Sequence, residues 1–332
     1  MKILIQGDNL ENYLAKCHEA FRTGLKALYE VRSFGIGYAG YKANYISFRQ
    51  IIEKLYNNEQ PDVIISDSLS PIIDNFPSVK KFADSDFIKG LRCTQLSDYW
   101  SELNTQNEQK YFEKVSENKI DFILSYFIQP IENYSDKLHG CKFIFLPPAF
   151  DPKIFNDWGM TKEYDVSFLA YGTTNYSDFY PERYEIHHIL LKERKINYLW
   201  AEHPGWKNHS GKSALIGKNF SQALNSSKIS ITTAGVYKNA HAKYIEILAS
   251  KSLLLAEEPI GFEKIGLIDG VNYVKINKSN LLDQIYYYLS HPEITDEITN
   301  EGYKLAINRH NCFARATDFY NEINSKLRSN GK

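Results

Sequence analysis

Lys243 and Glu246 stand three residues apart in the run Ala240-His241-Ala242-Lys243-Tyr244-Ile245-Glu246-Ile247-Leu248-Ala249. On a helix, positions i and i+3 share one face. A lysine there offers a compact positive charge to phosphate, and a glutamate accepts hydrogen bonds from ribose hydroxyls. The free N–H groups and dipole at a helix start also attract anions. The pair could therefore divide a nucleoside diphosphate between them. The plainer alternative is an exposed helical ion pair, which is common and worth little. Context favours the first reading. The helix is flanked by an apolar strand beginning at Lys228, a Thr232-Thr233-Ala234-Gly235 loop and a Leu253-Leu254-Leu255-Ala256 strand, which together make a βαβ unit.

The elements that must position this pair alternate along the whole chain. In the first half, strands are predicted at Lys2–Ile5, Glu30–Phe34, Asp62–Ser66, Leu91–Leu96, Asp121–Ser125 and Lys142–Leu146. Helices are predicted over Leu10–Tyr29, Ile46–Tyr56 and Gln106–Val115. The second half restarts with a strand at Tyr164–Ala170, a helix at Pro181–Glu193 and a strand at Ile196–Ala201. A helix over 213–225 precedes the 228–276 unit, and helices near 279–290, 293–308 and 312–327 close the chain. Such alternation implies an α/β protein of two Rossmann-like, doubly wound domains. Residues 1–150 form the first, 151–310 the second, and 311–332 a C-terminal helix. The prolines at 147 and 148 stiffen the passage between the domains, and a hinge is expected within 147–163.

Several of these residues carry a family resemblance. Lys243-x-x-Glu246, the Leu253–Ala256 strand, Asp269-Gly270-Val271-Asn272-Tyr273, the Ile285–His291 segment and Arg309-His310 through Arg315 resemble the C-terminal half of GT-B glycosyltransferases. The likeness is to the spore-maturation, CgeB-like type, and covers about 150–320 well and the first half in outline. Two departures stand out: Lys243 replaces an arginine, losing its bidentate fork, and Ala249-Ser250-Lys251 replaces Ala-Cys-Gly. The resemblance implies a GT-B cleft with the nucleotide-sugar donor on the second domain and the acceptor on the first. It also implies a final helix that crosses back to the first domain. The turn Tyr171-Gly172-Thr173-Thr174 would face the donor diphosphate with Arg183 behind it, so Gly172, Thr173, Arg183, His241, Lys243 and Glu246 are the expected donor-binding set.

The chemistry of an inverting transfer needs a general base against the acceptor hydroxyl. Asp67 and Asp98 both follow predicted strands of the first domain, where doubly wound sheets place their sites. Asp98, in Leu96-Ser97-Asp98-Tyr99-Trp100, resembles an Asp-containing turn of CgeB-like chains and is the first choice. A retaining mechanism would need no such base, and either aspartate would then bind acceptor or cap a helix.

Other motifs are weaker. Gly35-Ile36-Gly37-Tyr38-Ala39-Gly40 has the spacing of a dinucleotide fingerprint but follows the second strand, not the first, and reads as a loop. Asp84-Ser85-Asp86 has the spacing of a metal-binding D-x-D, yet Val79-Lys80-Lys81-Phe82-Ala83 before it is a poor buried strand, so a solvated loop is expected. Gly205 to Ser213 has five residues between its glycines where a P-loop needs four. His187-His188 diverge on a helix and cannot easily share one ion. His203-Pro204-Gly205-Trp206 reads as a turn at a strand end.

Composition bounds the rest. In 332 residues, 39 Lys and Arg balance 40 Asp and Glu, so no general attraction to nucleic acid or acidic membranes is expected. The four cysteines have no zinc or disulfide spacing, and no apolar run is long enough to span a membrane. The 24 Tyr and 19 Phe are read as a genomic bias rather than a carbohydrate surface. The expectation is a metal-independent, cytoplasmic glycosyltransferase of surface-glycan assembly with no resident cofactor. Its partners would be a nucleotide sugar and a glycan or glycolipid acceptor, with room for peripheral membrane contact. The rival is a non-catalytic nucleotide-sugar-binding or scaffold protein on the same fold.

Overall fold

A computed structural model describes residues 1–11, 16–42, 47–67, 84–96, 107–202 and 215–329. The chain divides into two compact units, one of residues 1–11, 22–147 and 316–332, the other of 12–21 and 148–315.

The first unit is built on a six-stranded parallel sheet: β1 (Lys2–Gln6), β2 (Glu30–Phe34), β3 (Val63–Ser66), β4 (Leu91–Leu96), β5 (Phe122–Ser125) and β6 (Lys142–Phe145), in the order β2-β1-β3-β4-β5-β6. Central strands covered on both faces read as continuous apolar runs. Ile3, Leu4, Ile5, Val63, Ile64 and Ile65 are accordingly all buried. The helix Phe48–Tyr56 turns Phe48, Ile51, Ile52 and Tyr56 onto Leu4, Phe34 and Ile64. It starts at Ser47, whose Oγ accepts from Gln50 N at 3.2 Å, the hydrogen bond expected of an N-cap. The helix expected over Leu10–Tyr29 is observed as Lys16–Leu28, and Leu10 and Glu11 lie outside it. The Asn9 side chain accepts from Glu11 N at 2.9 Å, a local turn that competes with helix formation there.

The second unit carries β7 (Tyr164–Ala170), β8 (Tyr198–Glu202), β9 (Ser227–Thr232), β10 (Leu253–Ala256) and β11 (Val274–Lys275), all parallel, in the order β11-β10-β9-β7-β8. Alternation along the strands sorts their faces. Val166, Phe168, Ile229, Ile231, Leu253 and Leu255 join one buried apolar cluster. The intervening Ser167 and Ser230 hydroxyls bond each other at 2.7 Å, and Ser230 bonds Ser252 at 2.8 Å, so these three buried hydroxyls satisfy one another. β8 begins at Tyr198 because Ile196 and Asn197 are held in a turn by Glu193 O and Asp165 Oδ2, and it runs through Glu202, one residue beyond the predicted end.

The helix Ala242–Ala249 buries Tyr244, Ile245, Ile247 and Leu248 and stops at a left-handed residue, Lys251, with φ 52°. That is the position where a helix end favours glycine. Lys251 tolerates it while its Nζ pairs with Asp157 at 2.7 Å. The helix Pro292–Arg309 packs close by: a Cβ on Gly302 would meet Asn272 O and Leu248 Cδ2 at 2.6 Å. Among the described residues no helix is long and apolar enough to cross a membrane.

Candidate functional site

In the second sheet the chain enters at β7, steps to β8 on one side and then to β9 on the other. That reversal opens a crevice at the C-terminal ends of β7 and β9, where open α/β sheets bind ligands. The loops leaving these two strands, and the helices that follow them, hold the residues that the sequence singled out.

After β7, Gly172 adopts φ 79°, and Thr173 is fully buried. The backbone N–H groups of Gly172, Thr173 and Thr174 converge on one carboxylate, that of Glu202 at the end of β8, at 2.7, 3.2 and 3.1 Å. The hydroxyls of Thr173 and Thr174 add bonds of 2.6 and 3.0 Å. Successive N–H groups around a left-handed residue form an anion-binding nest. Burial works against the charged form of Glu202, but these bonds outweigh it and hold its carboxyl below the usual range. Glu202 escaped the sequence reading, which stopped the strand at Ala201 and weighed the turn beginning at His203. An acid closing an apolar strand beside β7 was the available signal.

Arg183, on the helix Pro181–Lys192, is buried and ties the two loops together. Its Nε donates to Thr233 Oγ1 at 3.0 Å and its Nη1 to Tyr171 O at 2.9 Å, while the guanidinium lies 3.5 Å from the centroid of the Tyr180 ring. It is not the surface ion-pair residue that its Glu182 and Glu185 neighbours would suggest. Burial lowers its pKa.

Lys243 and Glu246 lie in the first two turns of the helix after β9. Lys243 Nζ donates to Leu169 O at 2.5 Å and sits 5.3 Å from the Phe220 ring centroid. Burial lowers its pKa, and the like charge of Arg183 adds to that. Burial raises Glu246, with the attraction of Lys243 opposing. Among the described residues the two do not form an ion pair. Glu246 accepts no hydrogen bond there, which leaves its oxygens for another donor. His241 precedes the helix, with Nε2 3.4 Å from Tyr180 Oη. Burial, then Arg183, push its pKa down to about 3, so the ring is neutral near pH 7. Glu257, just past β10, secures the β9 loop by accepting from Ala234 N at 3.0 Å and pairing with Lys238 at 3.1 Å.

Gly172, Thr173, Arg183, His241, Lys243 and Glu246 are thus brought to one rim. Asp98 lies outside the described residues, as do His203-Pro204-Gly205-Trp206 and the Gly205–Ser213 loop. Asp67 does follow β3, at the corresponding crevice of the first sheet, but it is no open base. It is buried, ion-paired with the buried Arg22, and accepts from Asp8 N at 3.1 Å. Gly7 passes so close that a Cβ there would overlap the carboxylate. Burial raises the Asp67 pKa against the pull of Arg22.

The remaining motifs resolve structurally. Asp84 accepts from Phe48 N and Arg49 N at 2.8 and 3.0 Å and so caps a helix, and Asp86 pairs with Lys119. Gly37 and Gly40 take positive φ in turns, and Tyr38 between them meets Arg22 at 3.0 Å. His187 and His188 bond Tyr198 and Tyr184 separately. Among the described residues no group of three His, Cys, Asp or Glu side chains is placed to hold a metal ion.

Residues 171–321 match the family model described as glycosyl transferase-like, a span that begins at the β7 loop and contains all the residues of the rim described above. No curated protein matches the chain by sequence. Among solved structures the chain is similar to a glycosyltransferase from Rickettsia africae (TM-score 0.61, 13% identity, covering 99% of this chain and 98% of that one). It is also similar to HepE from Anabaena in complex with UDP and glucose (0.59, 11%, 98% and 100%) and to a sucrose-phosphate synthase from Thermosynechococcus elongatus (0.59, 10%, 99% and 99%). The two parallel-sheet units therefore have the fold of GT-B glycosyltransferases.

Proposed function

We propose that this protein is a glycosyltransferase that takes its sugar from a nucleoside diphosphate sugar bound at the rim of the second unit. The observation that carries this reading is the convergence of a buried cation, Arg183, a half-buried one, Lys243, a peptide N–H nest and an acceptor carboxylate at one switch point. Lys243, Arg183 and the Gly172–Thr174 loop would meet the diphosphate, and Glu246 the ribose hydroxyls. As the glycosidic bond breaks, negative charge grows on the leaving diphosphate, and fixed donors around it stabilise that charge without reorganising. Neutral His241, flanking Arg183, adds a polar edge without a competing charge. UDP is the nucleotide of choice to test, because a structure of the same fold was solved with it.

The finer reading is a CgeB-like, metal-independent enzyme acting on a glycan or glycolipid acceptor, cytoplasmic or at a membrane surface. Asp98 of the first unit is its general base, since Asp67 is committed to Arg22. The test is turnover with a panel of nucleotide sugars and glycan acceptors. Asp98→Asn should keep donor binding and lose about 10²–10⁴ in rate. Full activity in that variant removes Asp98 from the role. A wild-type protein that binds nucleotide sugar yet releases no nucleoside diphosphate, to acceptor or to water, supports the scaffold reading instead.

A further inference from the structure

We propose that Glu202 is a built-in competitor for the donor: its carboxylate occupies the nest of Gly172, Thr173 and Thr174, and an incoming diphosphate must displace it. The proposal rests on the donor reading for the identity of the ligand, but the geometry behind it stands alone. Three backbone N–H groups and two hydroxyls point at one carboxylate. A carboxylate and a phosphate present similar oxygens to such donors, so the nest cannot serve both at once. Glu202 comes from the last position of a neighbouring strand, and among the described residues it forms no ion pair. Among the described residues the bonds to Glu202 all come from the nest, and Arg183 and Lys243 act on its charge only at longer range. The loop is thereby ordered before nucleotide arrives, and the affinity for diphosphate is reduced by the fraction of time the nest is closed. When the diphosphate enters, the freed carboxylate stays beside the site and is repelled by the new charge.

The test measures binding of inorganic pyrophosphate, UDP and uridine by calorimetry at pH 7 to the full chain and to Glu202→Ala and Glu202→Gln. Removing the carboxylate charge should tighten pyrophosphate and UDP at least about tenfold while leaving uridine unchanged. Glu202→Gln keeps the shape and one acceptor oxygen, so it decides the matter if Glu202→Ala fails to fold. Unchanged or weaker pyrophosphate binding in a folded variant would overturn the proposal and make Glu202 a strut for the loop. Loss of the fold in both variants would do the same, as would a wild-type protein and variants that bind no pyrophosphate. If pyrophosphate tightens but UDP binds no better than pyrophosphate and uridine not at all, the competition stands and the nucleotide reading falls.

Discussion

Lys243 Nζ donates to the carbonyl oxygen of Leu169 at 2.5 Å, so the cation on the helix after β9 is anchored to the penultimate residue of β7. The bond holds the charge at the crevice between the two strands rather than letting it snorkel to solvent. Its cost is desolvation, which together with Arg183 lowers the Lys243 pKa.

That shift predicts proton-linked binding. A diphosphate adds negative charge beside Lys243 and raises its pKa, so between the free and bound values binding takes up a proton. Affinity for UDP should then fall as pH rises above the free-state pKa. Calorimetry in buffers of different ionisation enthalpy should show uptake in the wild type and less in Lys243→Met. Equal proton exchange in the two proteins would detach Lys243 from the phosphate.

Arg183 should matter for stability as well as binding. Arg183→Leu leaves Tyr171 O and Thr233 Oγ1 without their buried donor, a loss of about 1–3 kcal/mol. For a unit of this size the melting temperature should drop by several degrees, roughly 2–4 °C per kcal/mol. An unchanged melting temperature would mean that the two loops do not need this clamp.

The scaffold of the site was legible in the sequence because parallel β strands and amphipathic helices write periodic patterns. Lys243 and Glu246 were legible because helical spacing fixes their shared face. Glu202 was not, since its role depends on a neighbouring strand and a loop about 30 residues away. The surroundings of Asp67 were hidden for the same reason: strand position put it at the crevice, but only the fold shows Arg22 closing on it. The Leu10 end of the first helix failed because a local Asn9 turn is a side-chain choice that periodicity does not register.

The Arg22–Asp67 pair yields a prediction that separates structure from catalysis. Both side chains are 2% exposed, and removing one partner strands a buried charge. Asp67→Ala should cost about 3–5 kcal/mol in urea unfolding. A variant as stable as the wild type but slow in turnover would return Asp67 to the catalytic role.

Metal dependence is the next expectation. Asp84 caps a helix and Asp86 pairs with Lys119, so neither is free to hold Mg²⁺ or Mn²⁺. Transfer should survive EDTA. Loss of activity on chelation, restored by Mn²⁺, would show that a metal meets the diphosphate in place of Lys243 and Arg183.

A nucleoside diphosphate bound at the β7–β9 crevice of the second unit would place its ribose on Glu246. Titration of UDP into the wild type and Glu246→Ala by calorimetry measures that contact. Hydrogen bonds to a charged group contribute about 1.5–3 kcal/mol, so affinity should fall at least about tenfold in a variant that keeps its fold. Equal UDP affinity in the two folded proteins, or no binding of any nucleoside diphosphate to the wild type, would mean that this crevice is not a nucleotide site.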